Sequence, residues 1–138
     1  MKIKVLLVIP GKEVQIVKLP SANKFIKSFI GKNLYKISLD DETALIASHS
    51  AQLEEFNRIY KGDIIFGSFL VIGTKNNHNI SLKKKQIRKF TNMFKLNKHQ
   101  KKIEKYKQEF LEEFYFNQKL NKQKNAVANK NQIFNVAA

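Results

Sequence analysis

The chain has 138 residues, with 26 Lys and Arg against 11 Asp and Glu, a formal net charge of +15 and no Cys. That length sets one modest domain as the expectation. The missing Cys excludes disulfides, thiolate nucleophiles and thiolate metal sites, and fits a reducing compartment.

The opening run Val5–Ile9 is five apolar residues before Pro10-Gly11, too short for a signal-peptide core and followed by no small-residue cleavage site. It reads as part of a strand, Ile3–Ile9, joined through Pro10-Gly11-Lys12-Glu13 to a second strand, Val14–Leu19, in a hairpin. Ser21 is placed to cap a short helix, Ala22–Ile30, with Phe25, Ile26, Phe29 and Ile30 on one face and Gly31 closing it. Tyr35, Ile37 and Leu39 alternate with polar residues, which predicts a third strand. Asp40-Asp41-Glu42 makes a turn into a fourth, Thr43–Ser48. The stretch Gln52–Tyr60 is expected as a short helix, carried by Leu53, Phe56 and Tyr60, or as an ordered loop. Ile64–Ile72 is the most apolar segment and reads as one strand, with Gly67 marking a bulge or a close backbone approach. Thr74–Asn79 reads as a polar loop.

All five Gly and both Pro precede Thr74, so nothing interrupts helices beyond it. Ser81 is expected to cap a helix, Leu82–Leu96, with Ile87, Phe90 and Phe94 inward and a break at Asn97. A second helix, about Lys98–Leu120, carries Ile103, Tyr106, Phe110 and Phe114 as a stripe, with Phe110 and Phe114 able to pack inward. From Asn117 the composition turns polar, with fraying and then disorder expected by about Lys124. The fold class is therefore α+β: a small, mostly antiparallel sheet with a short helix, followed by two C-terminal helices. The predicted organisation is an α+β domain over residues 1–95 and a basic helical extension with a flexible tail over 96–138. No apolar run reaches the ~18 residues a membrane span needs, so a cytoplasmic protein that does not cross a membrane is expected.

Charge is unevenly placed. Residues 1–74 carry 10 Lys/Arg and 7 Asp/Glu, a net +3; residues 75–138 carry 16 and 4, a net +12. Such a patch attracts polyanions or acidic surfaces. Within it, Lys83–Lys107 holds 11 Lys/Arg interleaved with aromatics, and the candidate binding residues are Lys83, Lys84, Lys85, Arg88, Lys89, Lys95, Lys98, Lys101, Lys102 and Lys105. They suit a phosphate-tracking face for nucleic acid or a nucleoprotein, an acidic protein surface, or a plain solvated exterior. Only Arg58 and Arg88 are Arg, which disfavours sequence-specific readout, since bidentate base recognition uses Arg.

Tyr115 and Phe116 fall outside the Phe110–Phe114 stripe. They mark either a partner surface, a homodimer contact included, or packing on two elements of the chain itself. The helix that carries them is basic in its first turns and acidic later, at Glu109, Glu112 and Glu113. That order opposes the macrodipole, so the helix gives up stability or leans on a partner.

No catalytic, metal or cofactor signature is present. His49, His78 and His99 stand alone, without a ligand partner at metal-site spacing. Asp40, Asp41 and Glu42 are explained by turn chemistry, although such a cluster also suits a hard cation. Ser48-His49-Ser50 has neither a nucleophile elbow nor a third partner. The expected function is binding, not catalysis.

Three stretches carry a family resemblance. They are Val5–Lys12, then Phe56-Asn57-Arg58, and above all Asp63-Ile64-Ile65-Phe66-Gly67-Ser68-Phe69-Leu70-Val71-Ile72-Gly73 leading to Ser81-Leu82. Over about residues 1–95 the chain resembles a small family defined only as a domain of unknown function, seen mainly in phages, plasmids and other mobile elements of bacteria. The resemblance implies a compact α+β domain and a mobile-element origin, and supplies no catalytic residues. The chain departs from it where relatives tend to be acidic and to stop near the helix after Ser81. Taken with the basic helical arm, that origin leads to the expectation of an accessory protein, with inhibition of a host defence complex as one role. The ending Val136-Ala137-Ala138 resembles the Ala-Ala tails read by bacterial unfolding proteases; chance composition is the simpler reading.

Overall fold

A computed structural model describes residues 1–52 and 55–135, with residues 120–135 as backbone only. Leu53, expected to anchor a helix, and the Val136-Ala137-Ala138 ending lie outside the described residues. The chain divides into two compact units, Met1–Ile103 and one beginning at Glu104.

The first unit is α+β, and every strand pairing in it is antiparallel. Strands β1 (Lys2–Val8) and β2 (Gln15–Pro20) form the expected hairpin, in register from Lys2 opposite Pro20 to Leu7 opposite Gln15. Helix α1 (Asn23–Ile30) follows, then β3 (Leu34–Asp40) and β4 (Thr43–Ser48). Ser21 does not cap α1: the N-cap position is Ala22, and no side chain caps it. Of the four apolar residues expected on its inner face, Ile26 is buried and Ile30 half-buried, while Phe25 and Phe29 are exposed. A helix this short settles Ile26 and Ile30, one turn apart, onto the sheet and leaves the neighbouring pair at the rim.

The segment Phe56–Tyr60 is a strand, β5, not a helix or loop. It pairs with β6 (Asp63–Phe66) across Lys61 and Gly62, both at positive φ, as a two-residue hairpin turn of the primed type requires. The long apolar run expected as one strand is divided. At Gly67, whose φ is 73°, the chain leaves the β5–β6 ribbon and enters the main sheet as β7 (Phe69–Lys75). The expected loop after Thr74 is instead a second tight hairpin: Asn76 and Asn77 both take positive φ and return the chain as β8 (His78–Ile80). The main sheet runs β2-β1-β7-β4-β3, with β8 extending the β7 edge beyond β1.

Central strands β4 and β7 are buried on both faces, which explains their continuous apolar runs. One face packs Ile3, Val5, Leu19, Ala44, Ile46, Leu70 and Ile72 against Ile26 of α1. The other packs Leu6, Val8, Leu45, Ala47, Phe69 and Val71 against Ile65 of β6 and against Leu82, Phe90 and Phe94. Full burial of Phe90 and Phe94 contributes about 1.5–3 kcal/mol each.

Beyond β8 the chain is helical: α2 (Lys84–Met93), a bend at Phe94 and Lys95, and the long C-terminal helix α3 (Leu96–Asn135). Ser81 does not cap α2. Its Oγ accepts the Lys4 N–H at 2.9 Å, and Leu82 N–H donates to the Lys4 carbonyl at 2.8 Å, so these residues serve as an extension of the sheet. The helix begins two residues later, where Gln86 Oε1 accepts the Lys83 N–H at 2.7 Å. The bend comes before the expected Asn97, because burial of Phe94 and His99 turns the chain there. Helix α3 also continues to Asn135, past the expected onset of disorder; its sequence contains neither Gly nor Pro to stop it. Phe114 is not a core residue, being 45% exposed. No described helix is long and apolar enough to cross a membrane.

Candidate functional site

Helix α2 owes its orientation to Phe90 and Phe94, with Ile87 and Met93 half-buried beside them. Fixing that face in the core sends Lys84, Lys85 and Arg88 to solvent. Lys95 at the bend is exposed, as are Lys98, Lys101 and Lys102 in the first turns of α3, on either side of buried His99. Lys105, also exposed, belongs to the second unit. The structure thus places every predicted basic site residue at the surface.

These residues are not equivalent. Lys83 Nζ lies 3.8 Å from Glu42 Oε2, and Lys89 Nζ lies 3.5 Å from Asp40 Oδ2. Gln86 Nε2 reinforces this junction, donating to the Glu42 carbonyl at 3.0 Å and to Thr43 Oγ1 at 2.8 Å. The acidic turn between β3 and β4 is therefore docked on one flank of α2. Asp40 Oδ1 accepts the Glu42 N–H at 2.9 Å, the side-chain turn that its residue type favours. Burial pushes the Asp40 carboxyl up, but the Thr43 hydroxyl, the Glu42 N–H and the Lys89 charge together hold it below the ordinary value. Lys98 Nζ donates to Asn92 Oδ1 at 2.9 Å. Among the described residues, Lys84, Lys85, Arg88, Lys95, Lys98, Lys101 and Lys102 have no carboxylate partner.

The basic surface is held in place by a buried polar network that sequence reasoning missed. Arg58 on β5 is fully buried. Its Nε donates to the Phe94 carbonyl at 2.8 Å, Nη1 to Asn57 Oδ1 at 2.9 Å, and Nη2 to the Lys12 carbonyl at 2.6 Å. A cation at the carbonyl end of α2 is also favoured by the helix dipole. Burial lowers the Arg58 pKa and Glu13 works against that, yet a guanidinium remains charged in proteins. Asn57 Nδ2 joins the Val8 carbonyl at 2.9 Å to the Gly67 carbonyl at 2.7 Å. His99 Nδ1 accepts the Ile59 N–H at 3.3 Å, while Nε2 is 2.7 Å from the Met93 carbonyl, so the neutral ring carries its proton on Nε2. Burial lowers the His99 pKa; the Met93 carbonyl opposes this, and Arg58, Lys102 and Lys98 lower it further. One sequence signal marks the network: a rare Arg in a Lys-rich chain, where fork geometry is needed.

In the second unit Tyr115 and Phe116 are 64% and 63% exposed, and Tyr106 and Leu111 are exposed as well. Phe110 stacks on Phe114 with centroids 6.5 Å apart. His49 packs against Tyr35, with ring centroids 4.3 Å apart, and takes no part in a triad with Ser48 and Ser50: Ser48 Oγ accepts the Ser50 N–H at 3.0 Å. Comparison with curated proteins and with solved structures gives no match. Residues 1–95, which include Asn57, Arg58 and the whole sheet, match the model of the family described as Domain of unknown function (DUF3846), and the chain belongs to that family.

Proposed function

We propose that this chain is a non-catalytic binding protein whose basic helical face engages nucleic acid or a nucleoprotein without sequence preference. One observation carries the reading: seven exposed cationic residues, Lys84, Lys85, Arg88, Lys95, Lys98, Lys101 and Lys102, have no carboxylate partner among the described residues. The helical segment is read as two C-terminal helices, α2 and α3, and the working division is a 1–95 domain with a 96–138 extension. With the mobile-element origin that the family resemblance implies, this reading makes the chain a phage or mobile-element accessory protein in the host cytoplasm, with inhibition of a host defence complex as one role. Capture from host lysate with and without nuclease, followed by salt-titrated binding to DNA and RNA, tests this. If ~5 phosphates are neutralised, log K should fall by roughly 4 to 5 per decade of salt. Binding indifferent to salt, or absent at low salt, refutes it.

A second reading is a protein-interaction module that docks through α3. The exposure of Phe114, Tyr115 and Phe116 favours it. Capture of an acidic protein that survives nuclease and is lost on Phe116→Ser separates the two readings.

A further inference from the structure

We propose that the nucleic acid this chain binds is single-stranded, and that one unpaired base seats in the groove between β3 and the β5–β6 ribbon, against Tyr60. This rests on reading the basic face as a nucleic-acid surface, and it names the form of nucleic acid which that surface takes.

Three observations carry it. The first is a cavity. A groove of about 520 Å³ opens between β3, the last strand of the main sheet, and the ribbon. That lies within the roughly 300–1,000 Å³ of small-ligand sites. Tyr35 and His49 line it, their ring centroids 4.3 Å apart, together with Tyr60, Ile37 and Ile64. Aromatic rings beside aliphatic side chains suit a flat ring, and stacking accepts any base. Burial raises the Tyr35 pKa, so its phenol keeps its proton and can donate to a base edge.

The second is charge. Lys61 and Asp63 also line the groove; both are exposed, and neither has an ion-pair partner among the described residues. The Asp63 carboxylate repels a phosphate from the groove but accepts the amino groups of bases. The Lys61 ammonium lies 5.5 Å from the Tyr60 ring centroid and puts a cation beside the stacking surface. A base inside and its phosphates outside satisfy both charges.

The third is continuity with the basic face. Tyr60 lies against Phe94, with ring centroids 6.5 Å apart, and its neighbour Ile59 donates its N–H to His99 Nδ1. Lys95 follows Phe94 and Lys98 precedes His99, and both are exposed. The stacking residue thus adjoins the bend from which Lys95 and Lys98 project. A strand held there by its phosphates can turn a base in to Tyr60. The bases of a duplex are paired and stacked, and must first be extruded at an energetic cost.

Anisotropy titrations of the full chain at low salt test this. The probes are a short labelled DNA strand of mixed sequence, the same strand as a duplex, and an abasic strand of equal length and charge. The single strand should bind about tenfold more tightly than either of the others. The abasic arm uses the wild-type chain, so it does not depend on how a variant folds. Tyr60→Leu should remove the advantage and leave duplex binding, which reports on the basic face, unchanged; Tyr60→Phe should keep it. His49→Ala, at an exposed side chain, should reduce the advantage several-fold. Equal, salt-dependent affinity for all three probes overturns the groove and leaves the basic face standing. An advantage that survives both Tyr60→Leu and His49→Ala overturns it as well. So does a mononucleotide that binds as tightly as the strand, which would give the groove to free nucleotides. No binding of any probe at low salt removes the groove and the basic face together.

Discussion

Arg58 and Phe94 are joined by a 2.8 Å hydrogen bond from the guanidinium Nε to the carbonyl that ends α2. The bond links the centre of β5 to the bend between α2 and α3, and so fixes where the basic surface begins. Removing the guanidinium would strand the Phe94 and Lys12 carbonyls and Asn57 Oδ1 in the interior. Arg58→Met should therefore cost about 3 kcal/mol or more, by urea midpoint at constant m. Arg58→Lys should recover little, because an ammonium cannot span three acceptors in a plane. Recovery by Lys to near wild-type stability would show that charge alone matters at this position.

His99 makes stability depend on pH. The residue is 8% exposed, and its Nδ1 must stay unprotonated to accept the Ile59 N–H. Its folded pKa lies below the ordinary imidazole value of about 6.5, so below that pH the unfolded chain binds the proton more tightly. The contribution of His99 is thus fully present above about pH 6.5 and is lost as pH falls through the depressed folded value. Urea midpoints from pH 8 to 5 should drop for the wild type. His99→Phe should start lower and show a flatter profile, since His49 and His78 remain in both proteins. Parallel profiles would place the acid sensitivity elsewhere.

Gly67 and Gly62 both have positive φ, yet only one is crowded. A Cβ at Gly67 would meet Ala51 Cβ at 2.7 Å, while at Gly62 nothing lies within 4 Å. Gly67→Ala combines backbone strain with a clash at the point where the chain changes sheets, and should cost about 2–4 kcal/mol. Gly62→Ala carries the conformational penalty alone, about 1 kcal/mol. Equal costs in chemical denaturation would mean that Ala51 moves aside freely.

The sheet's centre was legible because it depends on local pattern. Val5–Val8 and Thr43–Ser48 are runs of β-formers bounded by turn residues, and they became β1 and β4. Periodicity failed where the reason for a residue lies far along the chain. Phe56 and Tyr60 have helical spacing, but Asn57 and Arg58 are held in a strand by carbonyls of Val8, Lys12 and Phe94. Ile64–Ile72 contains no mark of a sheet change except Gly67. Ser81 looked like a cap because nothing local showed that Lys4 would claim its oxygen. Exposure of the basic residues followed from the apolar spacing of α2. Their unequal pairing did not, since Asp40 and Glu42 reach α2 only through the folded sheet.

That inequality gives the sharpest test of the basic face. Lys83 and Lys89 already have Glu42 and Asp40 as partners, at 3.8 and 3.5 Å, whereas Lys84 and Lys85 have no carboxylate partner among the described residues. A polyanion must compete with the acidic turn for the first pair, and meets the second pair free. Replacing Lys84 and Lys85 by Gln should lower affinity for every nucleic-acid sequence and reduce the salt slope by about 1 to 2. Replacing Lys83 and Lys89 removes the same formal charge but also leaves Asp40 and Glu42 without their cations. The slope should change less, while any lost affinity then reflects repulsion by the freed carboxylates. Stability should separate the pairs in the other direction. The exposed ion pairs contribute about 0.2–1 kcal/mol each at most, so the Lys83/Lys89 variant should melt slightly lower. Lys84 and Lys85 sit in the first turn of α2, where positive charge opposes the dipole, and their removal should be neutral or slightly stabilising. If the two variants lose the same number of counterions, net charge and not this face governs binding.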